Sequence, residues 1–107
     1  MGRDSSRSEA ENGTATAYAA AAAAFAAGDL VPHSWSNARG FRHGERRHPD
    51  HKVVVCVAGS ITFHTPDGDL ALRPGGGLDL PAGTAHSATV GPDGVTCMEA
   101  YRNGDPC

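Results

Sequence analysis

Short runs of strand-forming residues, separated by turns that contain glycine and proline, dominate the chain after residue 35. The turn signals recur at about 8–12-residue spacing, which is typical of β-sandwiches and barrels. The strongest is the Pro-Asp-Gly-Asp segment at 66–69, which follows an alternating run at 61–65. The pattern predicts an all-β domain, a small antiparallel barrel or jelly roll, from about residue 35 to residue 101.

Two further turns are expected inside this region. Gly59-Ser60 would separate a β-branched strand at 52–58 from the strand at 61–65. The Gly-Pro-Asp-Gly segment at 91–94 would close a final hairpin of strands at 87–90 and 95–101.

The chain before the barrel has a different composition. Residues 1–13 are small and polar, and we expect them to be disordered. Residues 14–28 are rich in alanine, which predicts an α-helix that ends at Gly28. Tyr18 and Phe25 lie two turns apart on one face of that helix, so this face can pack against the barrel, which would comprise residues 29–107.

Charge and cysteine content exclude several classes of partner and compartment. The 107 residues include 12 acidic and 9 basic side chains, a net charge of -3, which does not favour nucleic acid or an anionic membrane. Cys56, Cys97 and Cys107 make an odd number without a CxxC spacing, so we expect reduced thiols and a cytoplasmic protein. No run is apolar enough to span a bilayer, and the alanine run at 19–27 lacks the basic start of a signal peptide.

The segment at 75–86 carries a recognisable motif. It reads Gly75, five residues, Pro81, one residue, Gly83, two residues and His86. It resembles the second motif of the cupin family at each of these positions, although Val90 stands where the family has an asparagine. The resemblance implies a cupin barrel with His86 on its inner wall, where Pro81 and Gly83 make a tight corner before the strand re-enters the barrel.

The first cupin motif is degraded in this chain. The family has a His-x-His pair and a glutamate before a glycine, and alignment from Gly59 puts Lys52 at the position of the glutamate. His48 then takes the place of the second histidine and Arg46 that of the first. The resemblance implies a divalent transition metal (Fe, Mn, Ni or Zn), but a lysine is a poor ligand for a metal ion. His51, in the turn next to Lys52, is a further candidate ligand.

Three other positions bear on the pocket. His43 is expected on the opposite face from His48, and His64 is expected to point outward because it alternates with the apolar residues before it. In the last strand Glu99 either faces inward beside Cys97 and pairs with Lys52, or lies in water while its neighbour Met98 enters the core. The two-residue alternation of a strand does not say which of its faces points inward, so both alternatives remain open.

Two functions follow from these residues. The first is a metal-binding cupin, an oxygenase, isomerase or lyase acting on a small molecule, with ligands from His48, His51, His86 and Glu99. The second is a metal-free module in which Arg46 and Lys52 form a cationic pocket for a small carboxylate or other anion.

A homodimer is also expected. Val53, Val55 and Val57 would form an apolar outer face of the barrel, and a second copy of the chain would cover it.

Overall fold

The structure, a computed structural model, describes residues 5–47 and 51–102. One helix and six strands follow one another in these residues: α1 (Ser5–Ala27), β1 (His33–Asn37), β2 (Arg42–Arg46), β3 (His51–Thr65), β4 (Gly68–Leu72), β5 (Gly77–Leu80) and β6 (His86–Arg102). Each strand pairing is antiparallel. The all-β fold with one N-terminal helix is therefore confirmed.

The two long strands β3 and β6 pair with each other from His51 opposite Arg102 to His64 opposite Ser87, with an interruption at residues 91–94 of β6. At the first end of this pair, β5 and β1 are the outer neighbours, and at the other end β4 and β2 take those places. The two halves share one buried core, because side chains from both ends of β3 and of β6 pack in a single cluster. Two sheet halves folded onto each other in this way form a small jelly roll.

Glycines allow the fold-over at the middle of the long pair. Gly59 has φ +73°, and a Cβ there would collide with the carbonyl oxygen of Gly94 on β6. A Cβ at Gly91 would likewise collide with the side chain of Ser60. The expected turns at Gly59-Ser60 and 91–94 are therefore bends within continuous strands, since the pairing shifts register there and then resumes.

The helix α1 covers the outer face of the first sheet half. Phe25 and Ala21 are buried against Val57, Met98 and Ala100. Val53 and Val55 are half-buried in the same cluster. The apolar face on which the homodimer prediction was based is thus covered within one chain.

The helix is longer than the alanine-rich run predicts. It begins at Ser5 and so includes residues 5–13, for which the polar composition predicts disorder. Glu9, Ala10 and Glu11 have favourable helix propensity, and extending an existing helix is easier than starting one. At its other end, Asp29 rather than Gly28 takes the left-handed conformation, with φ 60°, and the amide of Leu30 bonds to the carbonyl of Phe25 at 2.9 Å.

Helices able to cross a membrane are not found in the described part of the chain.

Candidate functional site

Among the described residues, three polar side chains are buried inside the barrel: Lys52, His86 and Glu99, each less than 10% exposed. They share the inner faces of β3 and β6 with core residues, because Lys52 alternates with Val54 and Glu99 alternates with Cys97. The inward alternative for Glu99 is therefore the observed one. Met98 is buried as well, but on the other face of β6, beneath α1.

Glu99 is the centre of the polar cluster. Its Oε1 atom lies 3.2 Å from Lys52 Nζ and accepts a 2.8 Å hydrogen bond from the indole nitrogen of Trp35. Its Oε2 atom accepts a 3.2 Å hydrogen bond from the hydroxyl of Tyr101 and lies 3.4 Å from His33 Nε2. Both carboxylate oxygens thus have two polar neighbours, as a buried charge requires.

The charge state of Glu99 follows from these neighbours. Burial by itself would raise the pKa of the carboxyl group. The positive charge of Lys52 and the hydrogen bonds from Trp35 and Lys52 outweigh it, so the pKa of Glu99 is lowered. Glu99 is therefore ionised inside the barrel, and the ammonium group of Lys52 balances its charge.

His86 lies beside this pair with a defined tautomer. Its Nδ1 atom is 3.1 Å from the carbonyl oxygen of Thr84, and since a carbonyl only accepts, Nδ1 carries the proton and Nε2 the lone pair. Burial lowers the pKa of His86, and the nearby charges of Lys52 and Arg46 lower it further, although the bond to Thr84 opposes the shift. The imidazole is therefore neutral at neutral pH.

His43 also faces the interior of the barrel. Strict alternation would place it on the face opposite His48, which is the outer face if His48 points inward. Its Nε2 atom lies 2.8 Å from Asn37 Oδ1, and its ring packs edge-on to Trp35 and Phe41, with centroid distances of 5.4 Å and 4.9 Å. Burial lowers the pKa of His43, with contributions from Arg46 and Lys52.

A bulge explains the error for His43. The pairing of β2 with β6 shifts register between His43 and Arg46, so both side chains reach the interior although they are an odd number of positions apart. Gly44 between them was the signal in the sequence, because a glycine inside a strand pattern often marks a bulge. No pattern in the sequence indicates Trp35 and His33 as partners of Glu99, because their strand is distant from β6 in the chain.

A small cavity lies at the centre of these groups. Its volume is about 30 Å³, enough for one water molecule. Arg46 lines the cavity and is the one exposed residue among those that form its wall. The wall is formed by Trp35, His43, Arg46, Lys52, Phe63, His86 and Ala88.

The structure brings together four of the residues singled out in the sequence: Arg46, Lys52, His86 and Glu99. His48 lies outside the described residues. His51 is separated from them, because β3 is regular there and His51 points to the face opposite Lys52. Its Nε2 atom is 3.9 Å from Asp79 Oδ1 on the neighbouring strand β5.

The described residues do not fit the divalent metal that the cupin resemblance implies. In residues 16–47 and 51–102, no three histidine, cysteine or acidic side chains are grouped so that they could hold a metal ion. Glu99, the carboxylate of the buried polar cluster, already has four polar neighbours, and one of them is the ammonium group of Lys52. A metal ion would have to compete with that cation at short range.

The folded-over sheet and its buried polar cluster define a small cupin domain. The chain belongs to the family of AraC-like ligand-binding domains, whose family model matches residues 28–101. No curated protein matches the chain.

Solved structures share the fold. The DMSP lyase DddQ from Ruegeria pomeroyi has a TM-score of 0.65 at 18% identity, over 73% of this chain and 40% of the lyase. A cupin superfamily protein from Desulfitobacterium hafniense has a TM-score of 0.61 at 18% identity, over 67% of this chain and 65% of that protein. KdgF from Halomonas sp. has a TM-score of 0.59 at 22% identity, over 71% of each chain. The chain spans less than two thirds of the first two proteins, and at these identities the likeness shows the fold alone.

Proposed function

We propose that the chain is a small-molecule-binding module that takes a small organic carboxylate at the inner cavity, without a metal ion. The observation that carries this proposal is the ion pair of Lys52 with Glu99, which places a neutralised pair where the cupin resemblance puts a metal-binding glutamate. The family, AraC-like ligand-binding domains, supports a ligand-binding role.

The charge of the cavity favours an anion. Lys52 and Glu99 compensate each other, and the lowered pKa values of His43 and His86 leave both rings neutral at neutral pH. Arg46, which forms no ion pair with another described residue, then contributes a positive charge at the wall of the cavity. A guanidinium group binds a carboxylate through two parallel hydrogen bonds.

The cavity must open for such a ligand, since about 30 Å³ holds no more than a water molecule. Arg46 is the exposed member of its wall, so its side chain is the group that moves when the ligand enters. The ligand then replaces water at Arg46 while Lys52 stays paired with Glu99.

Calorimetric titration with acetate, pyruvate and benzoate tests the proposal. We expect at least one of them to bind, and Arg46→Ala to weaken that binding about 10- to 100-fold, the value of one charge-assisted hydrogen-bonded pair. Arg39→Ala is the matched control, because Arg39 is also exposed but does not line the cavity. Equal affinities of the two variants would contradict the proposal.

Lys52 separates this function from a metal centre. A metal centre would gain a ligand in Lys52→Glu, whereas an anion site would lose its affinity because the charge of the cavity reverses. Since Lys52→Glu also places two carboxylates together in the interior, Lys52→Met serves as the second variant, and thermal melting checks that each is folded. Stoichiometric metal in protein purified without chelators, lost in His86→Ala, would refute the metal-free site.

A further inference from the structure

The outer face of the second sheet half carries a hydrogen-bonded relay of three side chains. His64, on β3, lies between Asp69 on β4 and Thr89 on β6. Its Nδ1 atom is 2.9 Å from Asp69 Oδ1, and its Nε2 atom is 3.0 Å from Thr89 Oγ1. The outward position of His64 agrees with its alternation with the core residue Phe63.

The chemistry of the partners sets the direction of the relay. An ionised carboxylate only accepts, so Nδ1 of His64 donates its proton to Asp69. Nε2 then carries the lone pair and accepts the hydrogen bond of the Thr89 hydroxyl. A hydroxyl bonded to an imidazole that a carboxylate orients is the arrangement that activates an oxygen nucleophile.

Open clefts border the relay on both sides. One has a volume of about 410 Å³ and includes Arg42, His64 and Thr89 in its lining. The other, of about 440 Å³, includes His64 and Arg47. Each is large enough for a small substrate, and Ser87 and His64 line both.

Arg42 supplies the remaining element of such a site. It lies directly opposite Thr89 in the pairing of β2 with β6, so both residues are on the same side of the sheet. Arg42 is exposed, and it lines the same cleft as Thr89. A cation near the nucleophile can stabilise negative charge that develops on a carbonyl oxygen.

We propose that Thr89, His64 and Asp69 form a catalytic site that hydrolyses small carboxylic esters. The Oγ1 atom of Thr89 attacks the ester carbonyl while its proton passes to His64 Nε2, and Arg42 stabilises the resulting oxyanion. The C–O bond to the alcohol breaks, and the alcohol leaves with the proton from His64. Water then attacks the acyl-threonine, gives one proton to His64, and releases the carboxylic acid as Thr89 regains its proton.

This site is separate from the cavity of the proposed carboxylate-binding function. The relay lies on the outer face of the sheet, whereas Lys52, His86 and Glu99 lie inside. His43 and His86 border both the cavity and one of the outer clefts, so the two proposals are tested with Arg46→Ala and Thr89→Val, each of which changes only one of the two sites.

Hydrolysis of p-nitrophenyl acetate by the full chain tests the relay. We expect a measurable rate that falls about 100-fold in His64→Ala and in Thr89→Val, the lower end of what a positioned base contributes. Thr89→Ser keeps the hydroxyl and should restore the rate. Thr96→Val is the matched control, because Thr96 is also on β6 and bonds to a hydroxyl, that of Ser36 at 2.8 Å, without a histidine.

Mass spectrometry after acid quench distinguishes the relay from simple catalysis by a surface imidazole. The proposal requires an acetyl group on Thr89, which is absent in His64→Ala. A rate that is unchanged in Thr89→Val, or the absence of any activity above buffer with the folded wild-type chain, would show that the three side chains are a cross-strand hydrogen-bonded contact only.

Discussion

At the scale of single residues, the interior depends on how Glu99 and Lys52 compensate each other. Each side chain is about one tenth exposed or less, and each would be an unpaired charge in an apolar core without the other. Trp35 and Tyr101 add hydrogen bonds that hold the carboxylate in place. Removal of one partner of a buried pair is therefore more damaging than removal of both.

We expect Lys52→Met to lower the free energy of unfolding by about 3–5 kcal/mol, because it leaves the Glu99 carboxylate uncompensated. The double variant Lys52→Met with Glu99→Gln should recover a large part of this loss, since no buried charge remains. Urea denaturation of the single and double variants measures both values. Glu45→Gln, a change at an exposed carboxylate, is the control and should have little effect. Additive losses in the double variant would contradict the pairing.

The two interior histidines predict a loss of stability in mild acid. Their pKa values are lowered in the folded chain from the ordinary histidine value near 6.5, so the unfolded chain takes up protons first as the pH falls. The stabilising contribution of the neutral rings is complete above the unfolded pKa and is lost as the pH falls through the folded pKa values. Urea midpoints should therefore decrease from pH 7.5 to pH 5.5. The decrease should be smaller in His86→Gln and smallest when His43→Gln is added. A midpoint that does not depend on pH would refute this.

At the scale of secondary-structure elements, the bend shared by β3 and β6 makes the jelly roll possible. Both strands change register at the same place, and their backbones approach closely at Gly59 and Gly94. This contact requires both a positive φ and the absence of a side chain at Gly59. The two requirements are separable by experiment.

Gly59→Ala should destabilise the chain by at least about 2 kcal/mol more than Gly40→Ala. Gly40 has the same φ, +73°, but a Cβ there would meet nothing within 4 Å, so its change costs only the backbone strain of about 1–2 kcal/mol. Thermal or urea denaturation of the two variants makes the comparison. Equal losses would mean that the backbones separate easily at the bend.

At the scale of the whole molecule, α1 determines which apolar surface the chain exposes. Phe25 is 3% exposed and holds the helix against Val57 and Met98. The homodimer stays a prediction, but its original basis, an uncovered valine face, is not found in the described residues. The same face becomes available only if the helix leaves the barrel.

Phe25→Asp should undock α1 and produce self-association that increases with protein concentration, because it exposes Val53, Val55 and Val57. Tyr18→Asp is the control on the same helix, since Tyr18 is 44% exposed and its change removes little packing. Light scattering across a range of concentrations measures the effect. The same mass for both variants at all concentrations would show that the helix is not what covers this face.

Local patterns in the sequence determined the class of fold and part of the site. Alternation and turn residues predicted the all-β domain, and the motif at 75–86 placed His86 on a strand that enters the barrel. The substitution of Lys52 for a glutamate was also visible, and it suggested a cationic pocket. These features are local because each depends on residues within a few positions of one another.

The tertiary structure alone decided which faces are inside. Period two relates the residues of a strand to one another but does not say which face meets the core, and both faces of β6 are buried because α1 covers the second. The bulge in β2 that turns His43 inward depends on its pairing with β6. The partners of Glu99 and of His64 come from strands distant in the chain, so only the register between those strands brings them within hydrogen-bonding distance.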